Sequence, residues 1–433
     1  MKNLKILLLL FVFPMQIIAQ EKLSLSDAIQ LALKSNLQIS IAKNTTIISK
    51  QNNTYGNAGF LPTVTLNGSG SRSSNNTKQE FLTGTSVNRK GAVSNFISSG
   101  LTLNYTIFDG FGMFAEKERL KELEGKDNFS LKEEIENVIV STITNYYSIV
   151  KQLQLIKTTE EGIKITEERI KIINRKIDTG SGSRQELLQA KIDLNQQKTL
   201  ILKYENELYK SRVDLSILLN RDFQNEFTTE NDFFIDTALQ INELVGVSLK
   251  ENKKILWSQK NVELAKINIK TFNSFSLPVV NFSANYSFNQ TKNEVGFILL
   301  NQNLGLNTGL NASWNLFNGF KNKTKIAEAK INLLQSKLVL EQTQKGISNT
   351  LYAAYFSYQN NLKTLKLETE NLELVKENIT IALERYNLGL CGSFELMTAQ
   401  KSLEDAQLRL IDAKYDSKIS ETELLKLSGK IIR

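Results

Sequence analysis

A chain of 433 residues with 53 Lys and Arg against 45 Asp and Glu carries a formal charge of +8, no histidine and one cysteine, Cys391. Those absences exclude histidine-based acid–base and nucleophile chemistry, His-rich metal sites and an intramolecular disulfide. With no GxxxxGK[ST] phosphate loop either, no cofactor and no enzymatic activity is expected.

The chain opens as an export signal over residues 1–19. Lys2 and Lys5 precede an apolar run from Ile6 to Phe13, and Ile17-Ile18-Ala19 offers a cleavage region. The run is too short to span a bilayer, and no cysteine near the cut offers a lipid anchor. The basic excess beyond it is interleaved with acids along helical stretches, so no nucleic-acid partner is expected.

The remainder reads as two repeats, residues 20–235 and 236–433. Phe108-Asp109-Gly110-Phe111 returns as Phe317-Asn318-Gly319-Phe320, a shift of 209 residues, and Gly180 and Glu186-Leu187 return at Gly389 and Glu395-Leu396. Leu61-Pro62 returns as Leu277-Pro278, so the two prolines beyond Pro14 hold equivalent places.

Each repeat opens with a pair of alternating segments, expected as strands at about 61–70 and 99–108, then 278–289 and 304–317. Leu101, Leu103, Tyr105 and Ile107 oppose Thr102, Asn104 and Thr106; Val280, Phe282, Ala284, Tyr286 and Phe288 oppose Asn and Ser. The polar stretches from Gly68 to Asn95 and from Gln290 to Val295 read as loops. A half-buried soluble sheet and a lipid-facing barrel wall both fit this alternation. If the strands span, four cannot close alone, because barrels need about eight or more. Open edges are forbidden in hydrocarbon, so a spanning chain must associate with copies of itself.

Long helical hairpins follow at about 112–219, with its tip at 178–183, and about 320–428, with its tip at 387–392. Leu187, Leu194, Ile201, Leu208 and Leu215 recur every seven residues, and Ala399, Ala406, Ala413 and Ser420 keep the same spacing. Such heptads predict left-handed supercoiling with close helix approach. A 65-residue arm at 1.5 Å per residue reaches about 100 Å. Trp257 reads as core and Trp314 as an interfacial aromatic. Ser183 and Glu186 read as a capping box, and Cys391 and Tyr386 fit a turn and an apolar helix face.

The order of these features, with the second tip Arg385-Tyr386-Asn387-Leu388-Gly389…Glu395-Leu396…Ala399-Gln400, resembles the TolC-like outer-membrane efflux family over essentially the whole mature chain. The resemblance implies a mixed α+β membrane protein, a homotrimer whose copies close a 12-stranded barrel and a 12-helix periplasmic tunnel. It implies a cell outer-membrane location extending into the periplasm, among outer-membrane lipid. It also implies a passive exit duct for efflux or type I secretion, with a periplasmic adaptor and an inner-membrane pump of RND or ABC type as partners. The rival reading is the adaptor itself, which also carries a helical hairpin. By likeness, Pro62, Pro278, Gly110 and Gly319 mark helix–strand transitions, and Gly180 and Gly389 turn the tips. Glu395 matches the first of two constriction acids, with Thr398 where the second would stand. Tyr386 and Glu186 match a latch in which Cys391 replaces an arginine.

Overall fold

The computed structural model describes residues 21–222, 227–230 and 232–431. The expected export signal lies outside them. In chain order the elements are β1 (Glu21–Leu23), α1 (Leu25–Ser35), α2 (Leu37–Asn52), β2 (Thr63–Glu80), β3 (Ser86–Phe108), α3 (Gly112–Asp178) and α4 (Arg184–Leu219). Then come β4 (Phe227–Thr229), α5 (Ile241–Glu251), α6 (Lys253–Ser274), β5 (Val279–Asn293), β6 (Leu300–Ser313), α7 (Lys321–Asn387) and α8 (Ser393–Ser428). Contacts divide them into two compact units. One comprises Ile41–Glu134 and Gly246–Asn349; the other comprises the described residues up to Ser40, Ile135–Val245 and from Thr350 onward.

The first unit holds a four-stranded antiparallel sheet in the order β2-β3-β5-β6, so β2 and β6 each have one free edge. Strands β2 and β5 begin just after Pro62 and Pro278. A residue without an N–H, which also biases its predecessor toward extended backbone, suits the point where pairing starts. The register stacks Leu66, Leu101, Tyr286 and Leu306 in one row and Tyr105, Phe282 and Leu310 in another, which makes one face apolar.

All four strands run further toward their turns than their apolar alternation predicts. The stretch from Gln290, expected as a loop, stays in β5 as far as Asn293, pairing with β6 from Leu300. The stretch from Gly68 to Asn95, expected as a loop, pairs as far as Glu80 with Ser86 and turns at 81–85, where the Phe81 N–H donates to Thr85 O at 2.8 Å. Ladder bonds use only backbone groups, so a mostly polar segment pairs without an alternating apolar face. Strand β6 instead ends at Ser313, leaving Trp314 beyond it with its indole N–H donating to Ser276 O at 3.0 Å. Trp257, expected as core, is only half-buried, with Lys126 Nζ 4.8 Å from its ring.

The chain leaves each strand pair through one turn design. Gly110 and Phe111 adopt φ of 72° and 71°, and Gly319 and Phe320 adopt 66° and 63°. A left-handed phenylalanine costs about 1–2 kcal/mol. Edge-to-face contacts of Phe111 with Phe108 at 5.2 Å and of Phe320 with Phe317 at 5.3 Å offset part of it.

In the second unit the heptads become buried seams. Leu187, Leu208 and Leu215 of α4 are buried, as are Ala399, Ala406, Ala413 and Ser420 of α8, where small side chains admit a close neighbour. Both tips close with the same hydrogen bonds. Gly180 N–H donates to Ile177 O and Ser181 N–H to Lys176 O; Gly389 N–H donates to Tyr386 O and Leu390 N–H to Arg385 O. The two glycines have φ of 77° and 70°, as this helix ending demands.

Short-range periodicity could not reveal the parallel pairing of three-residue β1 with β4. Tyr146 fastens it, its hydroxyl donating to Leu23 O and accepting from Glu230 N–H, each at 3.0 Å. In the second repeat Tyr355 donates to Leu239 O at 3.4 Å and Tyr358 to Asp236 O at 2.5 Å. Burial pushes the Tyr358 phenol up to about 12.

The two exit glycines differ in their surroundings. A Cβ on Gly110 would stand 2.3 Å from Ser274 O and 2.8 Å from Leu277 Cβ, whereas one on Gly319 meets nothing within 4 Å. Gly319→Ala should therefore cost only the left-handed penalty of about 1 kcal/mol, and Gly110→Ala clearly more. Thermal unfolding of the purified variants measures this; equal losses would contradict the assigned packing.

Candidate functional site

The end of α7 and the first turn of α8 face each other across the second tip. Arg385 Nη1 lies 3.2 Å from Glu395 Oε1, each side chain about half exposed. Glu395 is in the first helical turn, where a carboxylate also complements the free N–H groups of α8. Thr398 turns inward to its own helix, donating to Phe394 O at 2.9 Å. These residues line an open groove of ≈ 350 Å³ with Asn378, Ile381 and Phe394.

Behind the groove Tyr386 is buried in a cluster with Ile379, Ala382, Leu396 and Ala399, against which Ile172 of α3 packs. Its hydroxyl has no hydrogen-bond partner. Its ring instead receives Lys176 of α3, whose Nζ lies 4.0 Å from the centroid. The contact joining the two tips is thus a cation over an aromatic face, not a carboxylate bonded to the phenol. Glu186 takes no part. Ser183 caps α4 by accepting from Gln185 N–H at 3.2 Å rather than from Glu186, and the Glu186 carboxylate makes no return bond to Ser183 N–H, so the cap is present without the expected capping box. Cys391, in the turn, directs its Sγ to Ala382 O at 3.7 Å and packs against the same cluster.

Further along the hairpins the sequence reading missed a polar seam. Arg169 of α3 is buried, pairs with Asp193 of α4 at 2.5 Å and donates to Gln400 of α8 at 3.2 Å. Gln197 of α4 donates to Glu404 of α8 at 3.0 Å. Its signal was polar residues inside otherwise apolar helix spacing.

The sheet carries a second pattern. Ser98 donates to Asn289 Oδ1 at 2.7 Å, Ser94 to Asn293 at 2.7 Å, Thr102 to Asn285 at 3.3 Å and Thr106 to Asn281 at 3.0 Å. The donors recur every four residues, as do the acceptors, a spacing legible in the sequence but overlooked. The register places Thr65, Asn67, Ser69 and Asn303, Asn307, Asn311 on the same face. Between Thr63 and Ser73 on β2 and across the facing residues of the other strands, that face holds no charged residue. It is a wall of neutral donors and acceptors backed by an apolar face, as a water-filled barrel needs.

Sequence and fold comparisons agree with this geometry. The outer membrane efflux protein family model matches residues 28–221 and 244–430. The chain belongs to that family. Outer membrane protein TolC of Escherichia coli (strain K12) is 17% identical over 351 residues, covering 79% of this chain and 71% of TolC. Outer membrane efflux protein BepC of Brucella suis biovar 1 is 18% identical, covering 94% and 86%. The fold resembles the Campylobacter jejuni CmeC outer membrane channel, with a TM-score of 0.79 at 18% identity over 94% of this chain and 86% of that one. The open-state Neisseria gonorrhoeae MtrE channel gives 0.76 at 17% identity over 94% and 89%. By family the protein is an outer-membrane efflux protein, and its fold is that of the outer-membrane channels it resembles.

The seam has a pH signature. Burial raises the Glu404 pKa, and the hydrogen bond from Gln197 opposes that shift only in part. A carboxyl that binds its proton more tightly when folded contributes stability that falls as pH rises through the range above its unfolded value. Glu404→Gln removes this contribution. The stability lost between pH 5 and pH 8, read by thermal unfolding at both, should be smaller in the variant; an unchanged loss would refute the assignment.

Proposed function

We propose that the chain is the passive exit duct of a tripartite efflux or type I secretion system, three copies closing a 12-stranded barrel and a 12-helix periplasmic tunnel. The observation that carries it is the open sheet: free edges on β2 and β6, one apolar face and one charge-free polar face. Free edges cannot stand in hydrocarbon, so neighbouring copies must supply the missing ladders. Among the described residues no helix is long and apolar enough to cross a membrane, which leaves the spanning role to the strands. Exposed Leu334, Leu338, Phe356, Leu367 and Leu374 on α7 give the helices an apolar surface for the same assembly. Three is the number the family likeness implies.

The tips form the periplasmic gate in this reading, and an adaptor with its inner-membrane pump supplies partner and energy. Glu395 contributes one acid per copy to the constriction, and Thr398 contributes none. Arg385 offsets that acid, so the ring is close to neutral. Lys176 over Tyr386 takes the place of an acid-to-phenol latch, and opening separates them as the second hairpin swings outward. Gly180 and Gly389 hold the tip turns, while Cys391 fills a turn and Glu186, half-buried, stays out of the latch.

Conductance in planar bilayers tests both duct and gate. Arg385→Gln unmasks the acid and should tighten divalent-cation block about five-fold, the equivalent of ~1 kcal/mol. Glu395→Gln should abolish the block. Channels whose block is the same in both variants would remove Glu395 from the gate, and absence of conductance would remove the duct.

A further inference from the structure

The strands carry their charge at one end. Strands β2, β3, β5 and β6 contain the basic residues Arg72, Lys78, Arg89, Lys90 and Lys292 and the single acid Glu80, all toward the β2–β3 and β5–β6 turns. No charge lies on the strands toward the helices. The register then separates these cations. Arg72 pairs with Asn95, and Asn95 pairs with Lys292, so the three stand side by side in one row across β2, β3 and β5.

That row is on the apolar face. Two residues along each strand toward the helices come Gly70, Ile97, Gln290 and Gln302. Two further come Gly68, Ser99, Phe288 and Leu304, and then Leu66, Leu101, Tyr286 and Leu306. The face therefore passes from aliphatic and aromatic, through glutamine, to a line of Arg, Asn and Lys. Arg72, Asn95 and Lys292 are all exposed. The nearby acids are already engaged. Glu294 accepts from Val93 N–H at 3.0 Å and lies 3.9 Å from Arg89, and Glu80 lies 3.1 Å from Lys78. Among the described residues, neither Arg72 nor Lys292 makes an ion pair.

From this we infer that Arg72, Asn95 and Lys292 form a binding site for the phosphate of an anionic outer-leaflet lipid. The inference rests on the reading that the sheet spans the outer membrane with its turns outward. Adjacent strands are about 4.8 Å apart, so the cations stand about 10 Å apart at their backbones with an amide donor between. Both side chains are long enough to converge on one phosphate lying over Asn95. Their height suits the partner, because anionic headgroups begin where the apolar band stops and attract basic residues placed there. Arginine supplies a planar two-pronged donor and lysine a point charge, a pairing suited to phosphate oxygens. The opposite face offers no competing site, since its residues in these rows are Ser, Thr, Asn, Gly and Phe96.

Native mass spectrometry of the detergent-purified protein with bis-phosphorylated lipid A, or with lipid A stripped of phosphate, tests the site. The wild type should retain the phosphorylated form at least ten-fold better. The Arg72→Gln/Lys292→Gln double variant should lose that preference, while Lys78→Gln, which removes a cation already paired with Glu80, keeps it. Unchanged preference in the double variant, equal loss in Lys78→Gln, or displacement of the lipid by inorganic phosphate would each overturn the proposal. Heat-modifiable migration on gels, measured on the same samples, reads the barrel independently. If the assembly forms but shows no phosphate preference, only the lipid site fails; if no assembly forms, the spanning sheet fails and the lipid site with it.

Discussion

Unsatisfied backbone is the constraint from which the rest of this structure follows. A sheet of four strands leaves a row of N–H and C=O groups free along β2 and another along β6. In water those edges would hydrogen-bond solvent; in acyl chains each unpaired group costs several kcal/mol. The apolar face makes the hydrocarbon environment favourable and the edges make it intolerable for one copy alone. In the proposed duct, association of copies resolves the conflict and the polar face encloses water. Its neutral wall follows from the same geometry, because the hydroxyl and amide partners of β3 and β5 satisfy one another without charge.

The helices answer a different demand. Each of α3 and α7 runs for 67 residues, and most of the stability of helices in a folded protein comes from packed stripes rather than from propensity. Small residues at sevens along α8 bury completely or nearly so, and the polar seam of Arg169, Asp193 and Gln400 interrupts them where three helices meet. Buried ionic contacts of this kind hold register more than they add stability. At the tips the contacts are the weaker ones of Lys176 with Tyr386 and Arg385 with Glu395, which is what the proposed gate requires.

Periodicity made much of this legible in advance. Heptad leucines and alanines named the buried seams, and alternation named the strand faces. The prolines at 62 and 278 stand at the strand starts and the Phe-Asp/Asn-Gly-Phe pairs at the exits. The extension of β2 and β3 was hidden because backbone pairing leaves no trace in a polar stretch. The β1–β4 pairing was hidden because three residues cannot display a period. The tip contacts were beyond reach for another reason: Lys176 meets Tyr386, and Arg385 meets Glu395, only once hairpins fold back, and no local pattern encodes those encounters. Likeness to relatives pointed instead to Glu186, whose carboxylate the actual cap geometry leaves aside.

The most direct test of edge closure is the assembly state of the mature chain after extraction from outer membranes. Gel migration with and without heating, together with mass by light scattering in detergent, should give a stable complex of three copies that dissociates only when heated. A single, monodisperse copy soluble in detergent-free buffer would contradict the account.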